Sequence, residues 1–245
     1  MSELVFVGTS DAFGAGGRRQ SAIFLRAPHG AVLIDCGGTT ASGLNALGIS
    51  RAEIDAVLIS HFHADHFSGL PQLLLAAVWE DRRTRPLRIA GPPGVELRVH
   101  AAARALGHDL AARTLPFPLV FQELATGEEA EVGPVRVSAF ETQHQPDACP
   151  HGFVLRAGRR HIVYSGDTGW FDGLPKAARG AELFICECTF ESRGWNYHLS
   201  LEELAAHKGD FDCGRILLTH LGSAMSARRG RCDFETADDG MLVRL

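Results

Sequence analysis

Four short apolar runs in this chain each end at a histidine or an aspartate, and this repeated ending constrains the fold more than any other feature. The runs are VLID, VLISH, IVYSGD and ILLTH, which stop at Asp35, His61, Asp167 and His220. Short apolar runs bounded by glycine-rich turns are typical of buried β-strands. Because strand ends meet at the edge of a sheet, we expect these four side chains to converge where a ligand-binding crevice tends to form.

Composition is ordinary for a globular protein and gives few functional clues. The 245 residues are 45% hydrophobic and 22% charged, with a net charge of −5. Because no dense block of lysine and arginine is present, a nucleic-acid footprint is not expected. No apolar run reaches the length of a membrane span, and the N-terminus lacks the pattern of a signal peptide. The six cysteines form no Cys-x-x-Cys pair, so we expect a reducing, cytoplasmic location and no membrane partner.

Strand-like and helical segments alternate along both halves of the chain. The first half begins with three strands joined by glycine-rich turns, which predict the start of an antiparallel sheet. Helical patterns follow, and LPFPLV is expected to be a proline-rich connector. The second half repeats this style and includes a capping-box pattern, Ser200 to Glu203, at a helix start. Two runs of strands with interleaved helices predict an α/β protein with two stacked mixed sheets, helices on the outer faces, and one domain over residues 1–245.

The segment LISHFHADHFSGL places four potential metal ligands directly behind an apolar run. In an extended segment His61 and His63 point to the same side, so both imidazoles can reach one ion. Asp65 and His66 lie on the turn into the next helix, where they can face a second ion. Zinc accepts histidine nitrogen and carboxylate oxygen, and manganese or iron can occupy the same ligands. The pattern therefore predicts two divalent metal ions, with zinc as the expected metal.

Later residues can complete both metal sites. Asp167 can offer one oxygen to each ion and so bridge them, and His220 can complete the second site. The first site still needs a third nitrogen. His144, which follows a predicted strand and begins a polar loop, is the first choice, and His151 is the alternative. The predicted ligands thus come from both halves of the chain.

These residues resemble the metallo-β-lactamase superfamily, whose motif His-x-His-x-Asp-His stands here at residues 61–66. LIDCG, SGDT and LTHLG are similar to the segments that carry its early aspartate, its bridging aspartate and its last histidine, here Asp35, Asp167 and His220. The resemblance covers nearly the whole chain. It implies an αββα sandwich with a dinuclear metal site at one edge of the two sheets. It also implies that Asp35 supports the site without being a metal ligand.

Two further segments resemble the ribonuclease Z and cyclic-phosphodiesterase branch of that superfamily. HLSLEELAAHKG is similar to its His-Ser-Thr helix start, and CECTF is similar to its His-Glu-Ala-Thr segment. The resemblance implies that His198 is a general acid, that Glu187 is its partner, and that Asp65 belongs to the catalytic machinery. Ordinary alternatives stay open, because His198 could simply precede the Ser200 helix cap and Glu187 could be an exposed strand residue.

One departure from that branch concerns the substrate. Ribonuclease Z enzymes carry a long tRNA-binding arm between the third-motif histidine and the bridging aspartate. Here the gap from His144 to Asp167 holds only two predicted strands and a turn. The missing arm and the missing basic block argue against tRNA as the substrate.

The implied function is hydrolysis of a small or single-stranded phosphodiester by a hydroxide that bridges two ions about 3.5–4 Å apart. The same hydroxide attacks carbonyl and sulfate esters, so a lactone, thioester, β-lactam or aryl-sulfate hydrolase is the alternative enzyme class. A non-catalytic binding protein on the same scaffold is a third class, which the complete ligand set opposes. A homodimer is expected from the resemblance alone.

Overall fold

Two seven-stranded β-sheets pack against each other at the centre of the protein. The computed structural model of the chain describes residues 2–110 and 112–245. Within these residues the strands are β1 Glu3–Gly8, β2 Ala22–Ala27, β3 Gly30–Ile34, β4 Ile54–Leu58, β5 Leu87–Gly91, β6 Leu119–Glu123, β7 Glu129–Val132, β8 Val135–Glu141, β9 His151–Ala157, β10 Arg160–Tyr164, β11 Leu183–Glu187, β12 Ile216–Thr219, β13 Glu235–Thr236 and β14 Leu242–Arg244.

Each sheet combines an antiparallel half with a parallel half. The first sheet has the order β14-β1-β2-β3-β4-β5-β6, and the second has the order β13-β12-β11-β10-β9-β8-β7. Strands β1 to β3 pair antiparallel, as predicted, and β3 to β6 pair parallel. In the second sheet β7 to β10 are antiparallel and β10 to β13 are parallel. The predicted pair of stacked mixed sheets is therefore confirmed.

Helices cover the outer face of each sheet. They are α1 Thr40–Ala46, α2 Ala64–Phe67, α3 Leu70–Trp79, α4 Val95–Ala105, α5 Leu174–Ala178, α6 Leu201–Ala206 and α7 Ser223–Arg228. The apolar sides of α1, α3 and α4 pack on the first sheet, and those of α5, α6 and α7 pack on the second. At α6 the predicted capping box between Ser200 and Glu203 is present. Among the described residues no helix is long and apolar enough to cross a membrane.

The strands alternate their side chains between two hydrophobic cores. In β1, Leu4 and Phe6 enter the core between the sheets, whereas Val7 faces the core beneath the helices. In β10, Tyr164 faces the core between the sheets and Val163 faces the second helical layer. Successive side chains of a strand point to opposite faces of the sheet, so an apolar run without polar alternation produces a strand buried on both sides.

The strand ends place the predicted site residues at one edge of the sandwich. Asp35 follows β3 directly, and His61 lies just beyond β4 in the same sheet. In the second sheet Asp167 lies just beyond β10, and His220 follows β12 directly. All four lie past the carboxyl ends of mutually parallel strands within each sheet, which is where an α/β sheet forms its ligand crevice.

The structure corrects one expectation about the first half. The segment LPFPLV is not only a connector, because its last two residues begin strand β6. This strand lies at the edge of the first sheet, and most of its side chains are half-buried. Its sequence, LVFQE, mixes apolar and polar residues after a proline, so it carries a weak strand signal that only pairing with β5 makes effective.

The sandwich interior predicts the cost of a core truncation. Phe153 in β9 is fully buried between the sheets. Phe153→Ala should lower the free energy of unfolding by about 3–5 kcal/mol, because it removes apolar contacts and leaves a cavity. Urea unfolding of this variant should be compared with Leu97→Ala, which truncates a side chain that is 73% exposed on α4. Equal stability losses in the two variants would show that Phe153 does not pack in the core.

Candidate metal centre

A first cluster of potential metal ligands forms at the edge where the two sheets meet. It contains His61, His63, His144 and Asp167, whose ligand atoms all lie within 4.8 Å of one another. His63 Nδ1 lies 3.2 Å from His61 Nε2 and 3.0 Å from His144 Nε2. The Asp167 carboxylate lies 3.7 Å from His61 Nε2 and 4.0 Å from His144 Nε2. Three nitrogens and one carboxylate thus converge on one small space.

A second cluster shares Asp167 with the first. It contains Asp65, His66, Asp167 and His220, again with all ligand atoms within 4.8 Å. His66 Nε2 lies 3.2 Å from both Asp65 Oδ2 and Asp167 Oδ1. His220 Nε2 lies 3.1 Å from Asp65 Oδ2 and 3.3 Å from Asp167 Oδ2. Asp167 therefore lies between two groups of side chains that could each hold an ion.

Hydrogen bonds to the outer nitrogens of four histidines orient their rings in a way that suits a bound divalent cation. His66 Nδ1 contacts the Asp35 carboxylate at 2.7 Å, and His144 Nδ1 contacts the Tyr197 carbonyl oxygen at 2.8 Å. His61 Nδ1 contacts the Ser60 hydroxyl, and His220 Nδ1 contacts the Thr189 hydroxyl. Each bond leaves Nε2 directed to the cluster, which is the usual arrangement of a metal-binding histidine.

Two buried atoms lack the hydrogen bonds that such atoms normally make. His66 Nε2 and Asp167 Oδ1 are 3.2 Å apart, but their orientation does not form a hydrogen bond. Neither atom has another hydrogen-bond partner. Both residues are almost completely buried, at 0% and 2% exposure. An unpaired buried polar atom is costly, and a bound ion is one of the standard ways to satisfy it. Nitrogen and carboxylate donors in this number suit zinc or a similar divalent ion.

The electrostatics of the second cluster also favour a cation. Burial opposes charge on Asp167, but His220 and His66 hold the pKa of its carboxyl well below the usual range. Burial likewise opposes charge on His66, but Asp167, Asp65 and Asp35 raise its pKa well above the usual value. The carboxylates therefore attract protons onto their histidine neighbours. A divalent ion binding here would displace those protons, since metal-bound histidine is neutral.

The first cluster behaves differently because it contains fewer carboxylates. Burial, followed by repulsion from His66, lowers the pKa of His61 well below its usual value. Burial also lowers the pKa of His144. Both imidazoles are therefore neutral at neutral pH, which is the form that binds a metal.

Asp35 supports the clusters from behind and contacts several elements at once. Its carboxylate accepts hydrogen bonds from the Ser60 backbone N–H at 2.8 Å and the Ser60 hydroxyl at 2.9 Å. It also accepts one from the Tyr164 hydroxyl at 2.7 Å, besides its contact with His66. Asp35 itself is fully buried. One carboxylate thus joins β3, the segment after β4, and β10 of the opposite sheet.

The backbone is strained at two of the site residues. Asp35 and His220 both have positive φ angles, 59° and 54°, in a region that favours glycine. Each is the residue directly after a strand, β3 or β12. Such strain persists only where surrounding interactions impose it, and it occurs preferentially at functional sites. The tight bend turns both side chains toward the shared edge.

His198 and Glu187 form a pair beside the second cluster. His198 Nδ1 lies 2.8 Å from Glu187 Oε1, and Glu187 is fully buried at the last residue of β11. Glu187 also accepts backbone N–H groups of Thr168 and Thr189, at 2.9 and 3.1 Å. The alternative in which Glu187 is an exposed strand residue is therefore wrong. The catalytic roles of Glu187, His198 and Asp65 remain predictions.

The two candidates for the third nitrogen occupy different places. His144 lies in the first cluster, whereas His151 lies in neither cluster. The His151 backbone N–H donates to the Ser60 carbonyl, and its buried Nδ1 has no hydrogen-bond partner. The geometry thus favours His144, the first choice from the sequence.

Two supporting residues, Thr189 and Tyr164, escaped the sequence reasoning. The Thr189 hydroxyl donates to Glu187 Oε2 at 2.9 Å and contacts His220 Nδ1 at 2.8 Å, so it links the two groups. Tyr164 reaches Asp35 from the opposite sheet. Thr189 lies within the CECTF segment and could have been inferred from it, whereas Tyr164 lies in an apolar strand and gives no local signal.

The shared position of Asp167 predicts how metal content responds to its loss. Wild-type protein should retain about two zinc ions per chain, and Asp167→Asn about one or none, because an amide cannot replace a carboxylate shared by both clusters. Mass spectrometry of metal content after gel filtration measures this. The matched control is Asp172→Asn, which alters an exposed aspartate on the following turn. Two retained ions in Asp167→Asn would contradict the bridging role.

The bonds to Asp35 predict a stability difference between the chain's two tyrosines. Tyr164→Phe removes a hydrogen bond to a buried carboxylate and should lower the free energy of unfolding by about 1.5–3 kcal/mol. Tyr197→Phe makes the same chemical change at the other tyrosine, which is half-buried, and should cost much less. Urea unfolding of both variants measures the difference. If both cost the same, the Tyr164 hydroxyl does not support Asp35.

Comparison with curated proteins finds relatives along almost the full chain. A Ribonuclease Z of Mycobacterium sp. (strain KMS) is 30% identical over 240 residues, covering 90% of this chain and 84% of the relative. The Ribonuclease Z of Methanothermobacter thermautotrophicus is 28% identical and covers 100% of this chain and 97% of the relative. These relatives and the clusters of potential ligands together identify the chain as a ribonuclease Z-like, metal-dependent hydrolase.

Comparison with solved structures gives the same fold. The metallo-β-lactamase fold protein YhfI from Bacillus subtilis superposes with a TM-score of 0.78 at 20% identity, covering 99% of this chain and 98% of that one. Zinc-bound PqqB from Methylobacterium extorquens superposes with a TM-score of 0.74 at 17% identity, covering 99% and 100%. At these identities the likeness establishes the fold, which is the predicted metallo-β-lactamase sandwich.

A family model provides the narrowest assignment. The model described as Anti-Pycsar protein Apyc1 matches residues 2–237, which is nearly the entire chain. Its span includes both clusters, the His198–Glu187 pair and Asp35. The chain therefore belongs to the Anti-Pycsar protein Apyc1 family, within the ribonuclease Z-like group of the metallo-β-lactamase superfamily.

Proposed function

We propose that this protein hydrolyses phosphodiesters with two divalent metal ions, for which zinc is the expected metal. The observation that carries the proposal is the pair of half-buried His198 and fully buried Glu187 beside the two clusters. His198 Nδ1 lies 3.9 Å from the Asp167 carboxylate, and His198 lines the same cavity as the cluster residues. A histidine in this position can protonate the leaving oxygen, which cleavage of an alkyl phosphodiester requires.

The chain supplies the ligands and their orientation. The first cluster would hold one ion and the second cluster the other, with Asp167 common to both. When bound, the ions supply a hydroxide nucleophile from water at neutral pH and neutralise charge on the phosphoryl oxygens. Ser60, Asp35, Thr189 and the Tyr197 carbonyl fix the imidazole rings, so that the Nε2 atoms stay directed to the clusters.

His198 holds the proton for the leaving group. Burial lowers its pKa, but the Glu187 carboxylate, with a smaller effect from Asp167, outweighs burial and raises the pKa to about 9. Bound cations would lower this value again, because they repel the imidazolium. The Glu187 carboxylate accepts a hydrogen bond from Nδ1–H of His198, which leaves Nε2–H of His198 as the proton donor to substrate.

The relatives' names support a phosphodiester substrate. The name Ribonuclease Z describes an enzyme that cleaves RNA, and the nucleotides of RNA are joined by phosphodiester bonds. PqqB is bound to zinc in its structure, which supports zinc as the metal. Residues 145–166 comprise a 3₁₀ turn at Pro146–Ala148, strands β9 and β10, and short connections between them. This segment therefore contains no inserted arm. We therefore propose a small or single-stranded phosphodiester rather than tRNA.

The proposal also assigns roles to the other residues of the site. The roles of the metal ligands, of Asp65 and Glu187 in catalysis and of Asp35 in support are proposals. A cytoplasmic location, a homodimer and a single domain over residues 1–245 also remain predictions.

The test compares two leaving groups in His198→Ala. With thymidylyl-(3′→5′)-thymidine, whose leaving alcohol needs a proton, kcat should fall about 10²–10⁴-fold. With bis(p-nitrophenyl) phosphate, whose leaving phenolate is stable without a proton, the fall should be much smaller. The His198→Ala protein should keep the metal content of the wild type. The control is His29→Ala, which removes an exposed histidine outside the site.

Each contrary result has a defined meaning. An unchanged kcat for the dinucleotide in His198→Ala would overturn the role of His198 as the acid. Wild-type protein with two bound ions and no cleavage of either substrate would overturn the phosphodiesterase proposal. In that case the same sample should be assayed with lactone, thioester, β-lactam and aryl-sulfate substrates, which form the alternative class.

A further inference from the structure

Two large aromatic side chains are exposed to solvent beside the metal centre. Phe13 is 93% exposed and Trp195 is 49% exposed. Both line the cavity that contains the cluster residues, and they come from two different loops. An exposed aromatic side chain at the mouth of a binding cavity requires an explanation, because it loses the burial that normally stabilises such a residue.

The Phe13 loop is held in place by hydrogen bonds rather than being loose. The Asp11 carboxylate accepts the backbone N–H groups of Phe13 and Ala15, each at 3.1 Å. The Ala12 carbonyl accepts a hydrogen bond from the Gln20 side chain at 3.0 Å. The loop backbone is therefore held in a fixed position from which the Phe13 side chain projects into solvent.

Trp195 lies directly beside the proposed proton donor. Its ring centroid is 5.6 Å from that of His198 and 5.7 Å from that of Tyr197. The His198 backbone N–H donates to the Trp195 carbonyl, which ties the two residues together. Nearby, the Arg193 side chain forms an ion pair with Glu203 on α6 at 2.9 Å. An ester group of a phosphodiester held at the clusters would thus come within reach of the Trp195 ring.

The cavity has a polar floor and an apolar rim. It encloses about 300 Å³, at the lower end of the range for small-molecule sites. Its floor consists of cluster histidines and aspartates, which would suit a phosphate group once divalent cations are bound to them. Its rim includes Ala12, Phe13, Ala64 and Trp195, which offer contact area but few hydrogen bonds. A ligand that fills this cavity therefore needs a charged group and a flat apolar group.

We propose that Phe13 and Trp195 are specificity-determining residues that stack on a planar ring carried by the phosphodiester substrate. The proposal rests on the proposed phosphodiesterase function and names the chemical class of one ester group, an aryl ring or a nucleobase. Stacking between an aromatic side chain and a base contributes about tenfold or more to binding and tolerates different ring types. A ring is favoured over an aliphatic group because the two large side chains of the rim, Phe13 and Trp195, are both aromatic.

The first experiment compares two esters with the same leaving group in metal-loaded protein. Bis(p-nitrophenyl) phosphate carries a second ring, whereas methyl p-nitrophenyl phosphate carries a methyl group in its place. In Phe13→Ala and Trp195→Ala the KM for the two-ring ester should rise about tenfold more than the KM for the methyl ester. The control Trp79→Ala removes a 70% exposed tryptophan on α3, outside the cavity, and should leave the ratio of KM values unchanged.

Phe13→Leu and Trp195→Phe separate stacking from mere bulk. Trp195→Phe keeps a ring and should restore most of the discrimination, whereas Phe13→Leu keeps apolar volume without a ring and should not. Equal rises in KM for both esters, or no rise, would overturn the proposal. A change from dimer to monomer in Phe13→Ala by light scattering, with an unchanged KM ratio, would assign the ring to a subunit interface instead.

A binding experiment decides the proposal even if no phosphodiester is cleaved. Titration calorimetry should show that phenyl phosphate binds zinc-loaded wild-type protein about tenfold more tightly than methyl phosphate, and that Phe13→Ala and Trp195→Ala reduce this preference. Thymidine 5′-phosphate against 2-deoxyribose 5-phosphate distinguishes a nucleobase from a simple aryl ring. A preference in either pair that depends on both residues supports the proposal. No preference in either pair overturns it, whatever the outcome of the turnover assays.

Discussion

The burial of three aspartates among histidines is the interaction on which the rest of this structure depends. Asp35, Asp65 and Asp167 are each at most 5% exposed. Taking a carboxylate out of water is strongly unfavourable unless hydrogen bonds or opposite charges compensate for it. Asp35 is compensated within the protein by Ser60, His66 and Tyr164. Asp65 and Asp167 contact histidines of the two clusters, and the unpaired Asp167 Oδ1 marks a place where a cation would complete the compensation.

The arrangement of strands in the two sheets brings these charged residues together. Parallel strands in each sheet end at the same edge, so the polar residues after β3, β4, β10 and β12 meet without long connecting loops. The core between the sheets fixes their relative position. The Tyr164 side chain of the second sheet reaches across this core and donates a hydrogen bond to Asp35 of the first sheet. The residues of the two clusters are therefore positioned by rigid strands and short turns, which hold a site more precisely than flexible loops do.

Much of the fold and of the candidate site could be predicted from the sequence because both have local signals. Apolar runs with polar endings predicted the strands and their shared edge, and the spacing at residues 61–66 predicted adjacent ligands. Three features lacked such signals. Strand β6 is a half-buried edge strand with a mixed sequence, and Tyr164 is an apolar-strand residue whose hydroxyl finds a partner in the other sheet. Phe13 resembles any loop residue until its exposure beside the cavity is known. Long-range partners and exposure are properties of the folded chain, so a sequence pattern contains neither.

The two clusters draw residues from both sheets, and this has a consequence for how the protein would acquire a metal ion. Asp65 and His220 are 155 residues apart in sequence, although their side chains approach to 3.1 Å. Residues 61–66 could hold an ion in a chain that has not yet folded, whereas His220 joins them only after the second sheet has docked. Ions bound by an unfolded chain reduce the stabilisation that metal gives to the native state. The order of metal uptake and sheet docking during synthesis would thus decide how much the ions contribute to folding.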